Sequence, residues 1–403
     1  MKNHTHCRAC GSEKLTPYLD LGLLPLSNNL ATSTLDPIHL QTYPLKVMLC
    51  EDCGLSQLSV VIAPEILFSH YVYRSSISKS YVDHCRKMAV SLKEKFGLNE
   101  NSFHIDIAGN DGALLQQFKE VTGARVLNID PAENLAAISE AMGIPVFTEF
   151  WSIDCANRLL RSGHGQADLI TATNVFAHVD NVKDFIAAAK IMLKPSGRLV
   201  LEFPYLVDFI ENKEFDTIYF EHLSYFSVYP LSLLCKNAGL EILHVEKHEI
   251  HGGSVRVFIG NGVKDETVFN FILKEHQYGS IVPYQKFADD VRKTIHDFTE
   301  GINSLDGTIA AFAASAKGNT LLNTAGITVG RIKYIVDETP EKIGKYSPGT
   351  FIPIVSMHDF MRNPPDYLII LSWNFKEEII AKCKAAGYVG KFIIPIPDFI
   401  IVD

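Results

Sequence analysis

The sequence predicts an α/β protein made of a small cysteine-rich lobe followed by two units of alternating strands and helices. Two Cys-x-x-Cys pairs occur near the N-terminus, where four prolines interrupt any long helix. From about residue 103, and again from about residue 308, short apolar runs alternate with segments of helical periodicity. Such alternation is typical of parallel sheets that carry helices on both faces.

Composition limits the classes of protein that this chain can belong to. Its 403 residues are too many for one ordinary core, and 47% apolar with 21% charged residues is typical of a globular protein. The net charge of −9 argues against broad nucleic-acid binding, so we expect no nucleic-acid partner. The N-terminal residues lack a secretory apolar region, and no apolar run approaches the ~20 residues that a membrane span needs. We therefore expect a cytoplasmic protein with no membrane partner.

Residues 1–70 are predicted to form a loop-rich lobe organised by metal. Four thiolates in two pairs satisfy tetrahedral zinc and leave no coordination position for water, so the predicted site is structural. In a cytoplasm such cysteines bind metal more readily than they form disulfides. The remaining four cysteines are isolated among apolar neighbours and are interpreted as core residues. The predicted zinc ligands are Cys7, Cys10, Cys50 and Cys53.

Residues 71–264 are predicted to form the central domain. An amphipathic helix over 78–96 precedes the sheet, and the last two strands look antiparallel, joined at a turn around 251–253. The predicted strands are 103–107, 125–129, 144–147, 169–172, 198–202, 241–247 and 254–259, with helices at 112–118, 133–142, 182–193 and 231–238.

Residues 265–304 carry long helical periodicity and are predicted to connect this domain to a second α/β unit at 305–403. That unit resembles a compact Rossmann-like half. Its predicted strands are 308–313, 332–336, 366–371 and, as the last one, 391–394, with helices at 318–325 and 376–385.

A glycine-punctuated loop after the first central strand predicts a nucleotide site. Glycines allow the backbone to approach a ligand closely and to adopt positive φ. Asp130, followed by Pro131, ends the next strand and is placed to bind two ribose hydroxyls. The loop lacks the third glycine of a dinucleotide-binding turn, which favours S-adenosylmethionine over NAD. The predicted loop contacts are Gly109, Asn110, Asp111 and Gly112.

The segment Tyr219-Phe-Glu221-His222 places a phenol, a carboxylate and an imidazole within four positions among apolar residues. Such groups can move protons in a partly dry pocket. His178, after another strand end, is a further candidate, although it could equally be a satisfied core histidine. Tyr73 could likewise be a core aromatic.

Taken together, these motifs resemble those of the sugar C-methyltransferases of deoxysugar pathways, including the 3-C-methyltransferases of antibiotic sugars. The motifs, in chain order, are the paired Cys-x-x-Cys, the loop at 108–115, Asn174-Val-Phe-Ala-His178, Tyr219-x-Glu221-His222 and His251-Gly-Gly-Ser-x-Arg256. The resemblance spans nearly the whole chain. It implies a zinc lobe, a class I methyltransferase domain that binds S-adenosylmethionine, and a C-terminal Rossmann-like domain that helps to hold a nucleotide sugar. It also makes a monomer the expected state.

The resemblance implies a nucleoside-diphosphate 4-keto-6-deoxy sugar as substrate, methylated next to the ketone, usually at C3 and sometimes at C5. We expect His222 to be the general base, because a C–H beside a carbonyl is acidic enough for imidazole once the enolate is stabilised. Glu221 would orient the base or contact the sugar. Tyr219, Tyr73 and His178 would donate hydrogen bonds to the ketone or enolate oxygen, or move protons.

Other positions are candidates for binding. Glu149 and Phe150 are candidate adenine contacts, and Asn174 a further cofactor contact. The segment 251–253 is either part of the substrate site or only a hairpin turn. Where family members often have Gly-x-Gly, this chain has Ala311-Phe-Ala313, so we expect the diphosphate to contact Lys317 and the adjacent helix N-terminus. The candidate substrate contacts are His251, Gly252, Gly253, Arg256 and Lys317.

Two other functions remain open from the sequence. One keeps the cofactor but methylates an oxygen or nitrogen of another small metabolite. The other is a non-catalytic protein that binds a sugar nucleotide or a partner, which saturable binding of S-adenosylmethionine would argue against.

Overall fold

The computed structural model describes residues 1–68, 74–248 and 253–403. Tyr73, His251 and Gly252 lie outside these ranges. No helix in the described part of the chain is long and apolar enough to cross a membrane.

The N-terminal lobe is a sheet and not the loop-rich unit that the prolines suggested. Its strands β2, β3 and β4 pair antiparallel, and β11 from the central region adds to the edge in the order β11-β4-β3-β2. Pro17 lies at an irregularity of register and Pro44 lies near a strand end, two places where a missing N–H is tolerated. The elements are β1 (Lys2–Asn3), β2 (Leu15–Leu24), β3 (Tyr43–Cys50), β4 (Ser56–Leu58), β5 (Val60–Val61), α1 (Pro64–Phe68) and β11 (Ser224–Tyr225).

The central domain is a seven-stranded sheet in the order β12-β13-β10-β9-β6-β7-β8, with β13 antiparallel to both of its neighbours. The predicted strands are confirmed, whereas helices α5 and α7 had no counterpart in the prediction. The elements are α2 (Lys79–Phe96), β6 (Phe103–Ile107), α3 (Ala113–Thr122), β7 (Arg125–Ile129), α4 (Glu133–Ala141), β8 (Val146–Phe147), α5 (Ile153–Arg161), β9 (Ala167–Thr173), α6 (Val182–Met192), β10 (Leu193–Pro204), α7 (Leu206–Glu211), α8 (Val228–Asn237), β12 (Glu241–His248) and β13 (Ser254–Gly260).

The C-terminal unit is a second, mostly parallel sheet in the order β16-β15-β14-β17-β18-β19. The expectation that residues 391–394 form the last strand is wrong, because β19 turns back and pairs antiparallel with β18. The elements are α9 (Glu266–Glu275), α10 (Val282–Ser304), β14 (Ile309–Phe312), α11 (Ala316–Thr324), β15 (Ile332–Val336), β16 (Ile354–Val355), α12 (Met357–Arg362), β17 (Tyr367–Ile370), α13 (Lys376–Ala385), β18 (Lys391–Ile394) and β19 (Ile400–Val402).

One continuous apolar core joins the three parts of the chain. Helix α10 contributes to it from the connector: Tyr284 is fully buried, and its ring lies 5.0 Å from that of Tyr18 in the lobe. In each large sheet the strand order reverses at one point, between β6 and β9 and between β14 and β17. Ligands of open α/β sheets bind at the carboxyl ends of the strands at such points.

Candidate active site

A cleft of about 770 Å³ opens where the lobe, the central sheet and the C-terminal sheet meet. This volume falls in the usual range of small-molecule sites. The loop after β6 lines one wall, the loop after β14 lines the opposite wall, and the lobe contributes Asn28 and residues 61–68.

The loop after β6 is held in a conformation that leaves no space for a side chain at Gly109. A Cβ at that position would lie 2.6 Å from Asn128 Oδ1 and 2.8 Å from Asp106 Oδ2. Ala108 and Asn110 flank it with φ of 52° and 56°. The backbone is therefore exposed to the cleft where the sequence predicted a cofactor.

Asp130 lines this part of the cleft together with Pro131. Its carboxylate accepts hydrogen bonds from the N–H of Asn110 (2.8 Å) and from the N–H of Ala132 (2.9 Å). Burial raises the pKa of Asp130 to about 6 and that of the neighbouring Asp106 to about 7. Each carboxylate oxygen keeps a lone pair beyond these bonds, so Asp130 fits a pair of ribose hydroxyls.

Not every predicted cofactor residue faces the cleft. Asp111 is fully buried and accepts hydrogen bonds from the N–H and hydroxyl of Ser76. Gly112, at φ +86°, precedes α3 and packs against Ser139. Both residues shape the loop without lining the cleft.

Of the predicted adenine contacts, Phe150 lines the cleft, whereas Glu149 pairs with Arg158 outside it. Asn174 also lines the cleft, at φ 56°. Trp151 lines it beside Phe150 and was not predicted. The cofactor wall thus keeps an aromatic pair where the sequence suggested one aromatic and one acid.

Tyr219 and His222 form a hydrogen-bonded pair on the cleft wall. His222 Nδ1 lies 2.9 Å from the carbonyl oxygen of Thr217, which can only accept, so Nδ1 carries a hydrogen. Nε2 is then the basic nitrogen of the neutral ring, and the Tyr219 hydroxyl lies 2.8 Å from it. The local backbone therefore fixes the tautomer in which His222 can accept a proton through Nε2.

His178 packs edge-on against His222, with ring centroids 4.8 Å apart, and Phe68 packs on it from the lobe. Burial lowers the pKa of His178 to about 4, so its ring is neutral at pH 7. A neutral neighbour does not oppose protonation of His222, and this geometry favours His222 over His178 as the base.

Glu221 is 2% exposed and lines the same wall. Asn28 Nδ2 donates to its Oε1 at 3.0 Å, while Oε2 is buried and has no hydrogen-bond partner among the described residues. Burial raises the pKa of Glu221 to about 7. The carboxyl group is thus close to the balance between its neutral and charged forms.

Of the predicted substrate residues, some line the cleft and others do not. Lys317 lines the cleft, with Nζ 3.6 Å from Glu214 Oε2 and 5.0 Å from the centre of the Trp373 ring. Arg256 is committed elsewhere, because its guanidinium donates to the fully buried Glu202 at 2.6 and 2.9 Å. That pairing is a correction to its expected contact with substrate.

Gly253, at φ +127°, approaches Asp208 so closely that a Cβ would lie 2.4 Å from a carboxylate oxygen. It does not line the main cleft, and this close approach explains the glycine by structure alone.

The C-terminal wall contains a carboxylate that the sequence analysis missed. Asp337 follows β15 and accepts from the N–H of Ala314 (2.8 Å), the N–H of Thr339 (2.9 Å) and Lys342 Nζ (3.1 Å). The signal that identified Asp130, an acid at a strand end after a turn with positive φ, is also present here, since Ala313 has φ 75°. Asn28, in contrast, has no local signal.

The four cysteines predicted to bind zinc converge at the base of the lobe, and their sulfur atoms all lie within 4.8 Å of one another. Two sulfur pairs, Cys7–Cys53 and Cys10–Cys50, are separated by 3.5 Å. Tetrahedral zinc with bonds of about 2.3 Å places its sulfur ligands about 3.8 Å apart, so the donor set fits this metal.

Three family models match, described as "Putative zinc binding domain" over residues 7–68, "Methyltransferase domain" over 81–245 and "C-methyltransferase C-terminal domain" over 249–397. The C-methyltransferase NovU of Streptomyces niveus is 33% identical over 402 residues, covering 97% of this chain and 95% of that protein.

Two of the solved structures that match part of the chain are methyltransferases. Magnesium protoporphyrin IX methyltransferase (ChlM) from Synechocystis PCC 6803 with bound SAH is 13% identical, covers 45% of this chain and 83% of that one, and gives a TM-score of 0.35. An S-adenosylmethionine-dependent methyltransferase from Clostridium acetobutylicum ATCC 824 is 12% identical, covers 45% and 92%, and also gives 0.35. Neither similarity is high enough to support an inference about this chain.

The similarity to NovU extends over nearly the full length of both proteins. Together with the order of the three matched domains, it establishes the family. The chain is a methyltransferase and belongs to the C-methyltransferase family.

Proposed function

We propose that this C-methyltransferase uses S-adenosylmethionine to methylate a nucleoside-diphosphate 4-keto-6-deoxy sugar at the carbon next to the ketone, most simply C3. The observation that carries the proposal is the Tyr219–His222 pair. It places the His222 imidazole, with Nδ1 on the Thr217 carbonyl oxygen and Nε2 on the Tyr219 hydroxyl, in the cleft that the loops after β6 and β14 line. Methyl transfer to oxygen or nitrogen does not require a base that removes a proton from carbon.

The charges along the cleft support two ligands of opposite charge. Toward the β6 loop, the lining carboxylates Asp106, Asp130 and Asp184 suit a cationic sulfonium. Among the described lining residues the lysines are Lys317 and Lys342, both on the C-terminal wall, where they suit a diphosphate. A sugar linked to that diphosphate would lie between the two ends, beside His222.

His222 is the proposed general base. Its Nε2 takes the proton from the carbon beside the ketone, and Nδ1–H stays on the Thr217 carbonyl oxygen throughout. The Tyr219 hydroxyl donates to the single lone pair of Nε2 and orients the ring, and it turns away when the sugar binds so that this lone pair can take the proton from carbon. His178 remains neutral, so the positive charge on His222 meets no like charge there.

Negative charge develops on the ketone oxygen as the proton leaves carbon, and it requires a hydrogen-bond donor. Glu221 is placed for this role, since its raised pKa leaves it partly protonated near pH 7. His178 is the second candidate donor to the oxygen.

S-adenosylmethionine would supply an electrophilic methyl group, held by the β6 loop and Asp130. The enolate carbon forms a bond to that methyl as the carbon–sulfur bond breaks. Aligning the two bound molecules is worth about 7–11 kcal/mol when the geometry is near ideal. The protein therefore contributes alignment of the two bound molecules, a general base, and a hydrogen-bond donor to the ketone oxygen.

Zinc at Cys7, Cys10, Cys50 and Cys53 is proposed to be structural. A site of four thiolates offers no position for substrate, and the cluster is not among the residues that line the cleft.

The test uses S-adenosylmethionine labelled with ¹³C in the methyl group and a panel of thymidine and uridine diphosphate 4-keto-6-deoxy sugars. The expected product shows a ¹³C methyl coupled through carbon to the ring position beside the ketone. His222→Asn should lower turnover by about 10²–10⁴-fold with cofactor affinity unchanged. A labelled methyl on oxygen or nitrogen would replace this proposal with the heteroatom alternative. Binding of cofactor without transfer across the panel would favour another acceptor.

A further inference from the structure

The zinc lobe donates a hydrogen bond to a candidate catalytic group through Asn28, which lines the cleft. Asn28 follows β2 in sequence and reaches Glu221, 193 positions later, with Nδ2 3.0 Å from Oε1. An amide N–H can only donate, so Oε1 must act as the acceptor. Any proton that Glu221 carries is then on Oε2, the oxygen without a partner among the described residues.

The segment that carries Asn28 is held firmly by the C-terminal domain. Asn319 Nδ2, on α11, donates to the Ser27 carbonyl oxygen at 2.7 Å, and the Ser27 hydroxyl lies 3.1 Å from that of Thr320. Ser27 is 4% exposed. Two backbone hydrogen bonds between Ala31 and Tyr346, of 3.0 and 2.9 Å, fix the other side of the segment.

This segment therefore connects three parts of the molecule over a short distance. It continues β2 of the lobe, it is bonded to α11, whose first turn contains Lys317, and its amide reaches Glu221. A structural change near Lys317, where the diphosphate is proposed to bind, can therefore be transmitted to the Glu221 carboxyl group through α11 and the segment that carries Asn28. Among the described residues, Asn28 is the side chain that hydrogen-bonds Glu221.

We infer that Asn28 is a positioning residue for Glu221: the zinc lobe supplies the amide that fixes Oε1 as an acceptor, so that the proton of the neutral carboxyl group stays on Oε2. The role of Glu221 toward the sugar rests on the proposed function, whereas the pairing itself does not. The lobe thereby acts on the chemistry without contributing a group that reacts. Without the Asn28 amide, Glu221 should stay in place, but its proton would then occupy either carboxyl oxygen.

A measurement on the protein without substrate tests the pairing. The full-length protein is labelled with ¹³C at glutamate carboxyl groups, and the Glu221 signal is assigned by its absence in Glu221→Gln. Asn28→Ala removes a donor to the charged form, so the Glu221 pKa should rise by about one pH unit. Asn29→Ala is the matched control, since Asn29 makes no side-chain hydrogen bond in the described part of the chain. An equal pKa in Asn28→Ala and wild type would overturn the inference.

Kinetics on the sugar nucleotide that wild type methylates test the consequence. We expect Asn28→Ala to lower kcat by about 10-fold with KM for S-adenosylmethionine unchanged, and Asn29→Ala to match wild type. In a Glu221→Gln background, Asn28→Ala should cost little more, because the two residues act as a unit. Fully additive losses would contradict a positioning role. If the pKa moves but no panel sugar is methylated, the proposed substrate fails and the pairing stands.

Discussion

The central and C-terminal domains hold two carboxylates in the same way but shift their pKa values in opposite directions. Asp130 and Asp337 each follow a parallel strand, and each accepts one N–H from the preceding turn and one from two residues further on. Burial leaves the pKa of Asp130 raised to about 6. Burial would raise that of Asp337 too, but Lys342 and the backbone donors outweigh it, and its pKa is lowered.

The difference shows how one backbone arrangement can be adapted to two ligands. Without a nearby lysine, the wall at Asp130 suits hydroxyls and a cationic sulfonium. With Lys342 and Lys317, the wall at Asp337 suits an anion. The zinc lobe resembles neither domain, and its contribution to the cleft is structural support and Asn28. The predictions below separate these three contributions.

The largest effect is expected from loss of zinc. Structural zinc sites contribute on the order of 10 kcal/mol of binding energy to folding, so a chelator or Cys50→Ser should unfold the lobe and abolish turnover. Because the lobe shares one apolar core with the other two domains and lines the cleft, cofactor binding should weaken as well. Metal analysis, calorimetry and restoration by added Zn²⁺ check this. Full turnover in metal-free protein would show that the lobe needs no zinc.

Asp130→Asn is expected to weaken S-adenosylmethionine binding by about 100-fold, because charge-assisted hydrogen bonds to ribose hydroxyls are lost. Asp337→Asn is the matched variant in the C-terminal domain and should leave the affinity for S-adenosylmethionine unchanged. Isothermal titration of both variants with the cofactor provides the comparison. Equal losses of cofactor affinity in the two variants would mean that Asp130 and Asp337 do not serve separate ligands.

Lys342→Gln is expected to weaken binding of thymidine or uridine diphosphate by about 10-fold, with less effect at high salt. Lys333→Gln, on the exposed side of β15, serves as the control. Cofactor affinity should be unchanged in both. A nucleotide affinity insensitive to Lys342 would place the diphosphate away from this wall.

Glu221→Gln is expected to stabilise the protein in alkali. A pKa raised to about 7 means that the folded state holds the proton longer than the unfolded state, so Glu221 costs stability as pH rises from about 4.5 through about 7. The variant should therefore gain about 3 kcal/mol over wild type at about pH 8 and only about 1 kcal/mol at about pH 5. Urea denaturation at both pH values measures the difference. A gain that does not depend on pH would contradict a buried ionising carboxyl group.

Sequence reasoning was most successful where the signal was local. Residues 103–107 and 125–129 form the two strands that were predicted, and the turn after the first one contains its glycines within a few positions. The Tyr219–His222 pair is also local, three residues apart, and both residues line the cleft as the motif suggested.

Features that depend on distant contacts could not be read from the sequence. The Asn28–Glu221 bond joins residues 193 positions apart, and neither neighbourhood indicates the other. Arg256 looked like a substrate contact because of its motif, but Glu202 on the adjacent strand neutralises it. The strands of the lobe were missed because Pro17 lies at an irregularity of register and Pro44 near a strand end, positions that only the strand pairing reveals.

The most direct test of the account is exchange of sugar C–H protons in deuterium oxide, followed by NMR, with S-adenosylhomocysteine filling the cofactor site. Wild type should place deuterium on the carbon beside the ketone, and His222→Asn should not, although it binds the cofactor equally well. With S-adenosylmethionine, that same carbon should carry the new methyl group. Wild-type exchange in His222→Asn would show that another group is the base, and a methyl on oxygen or nitrogen would contradict C-methylation of this substrate class.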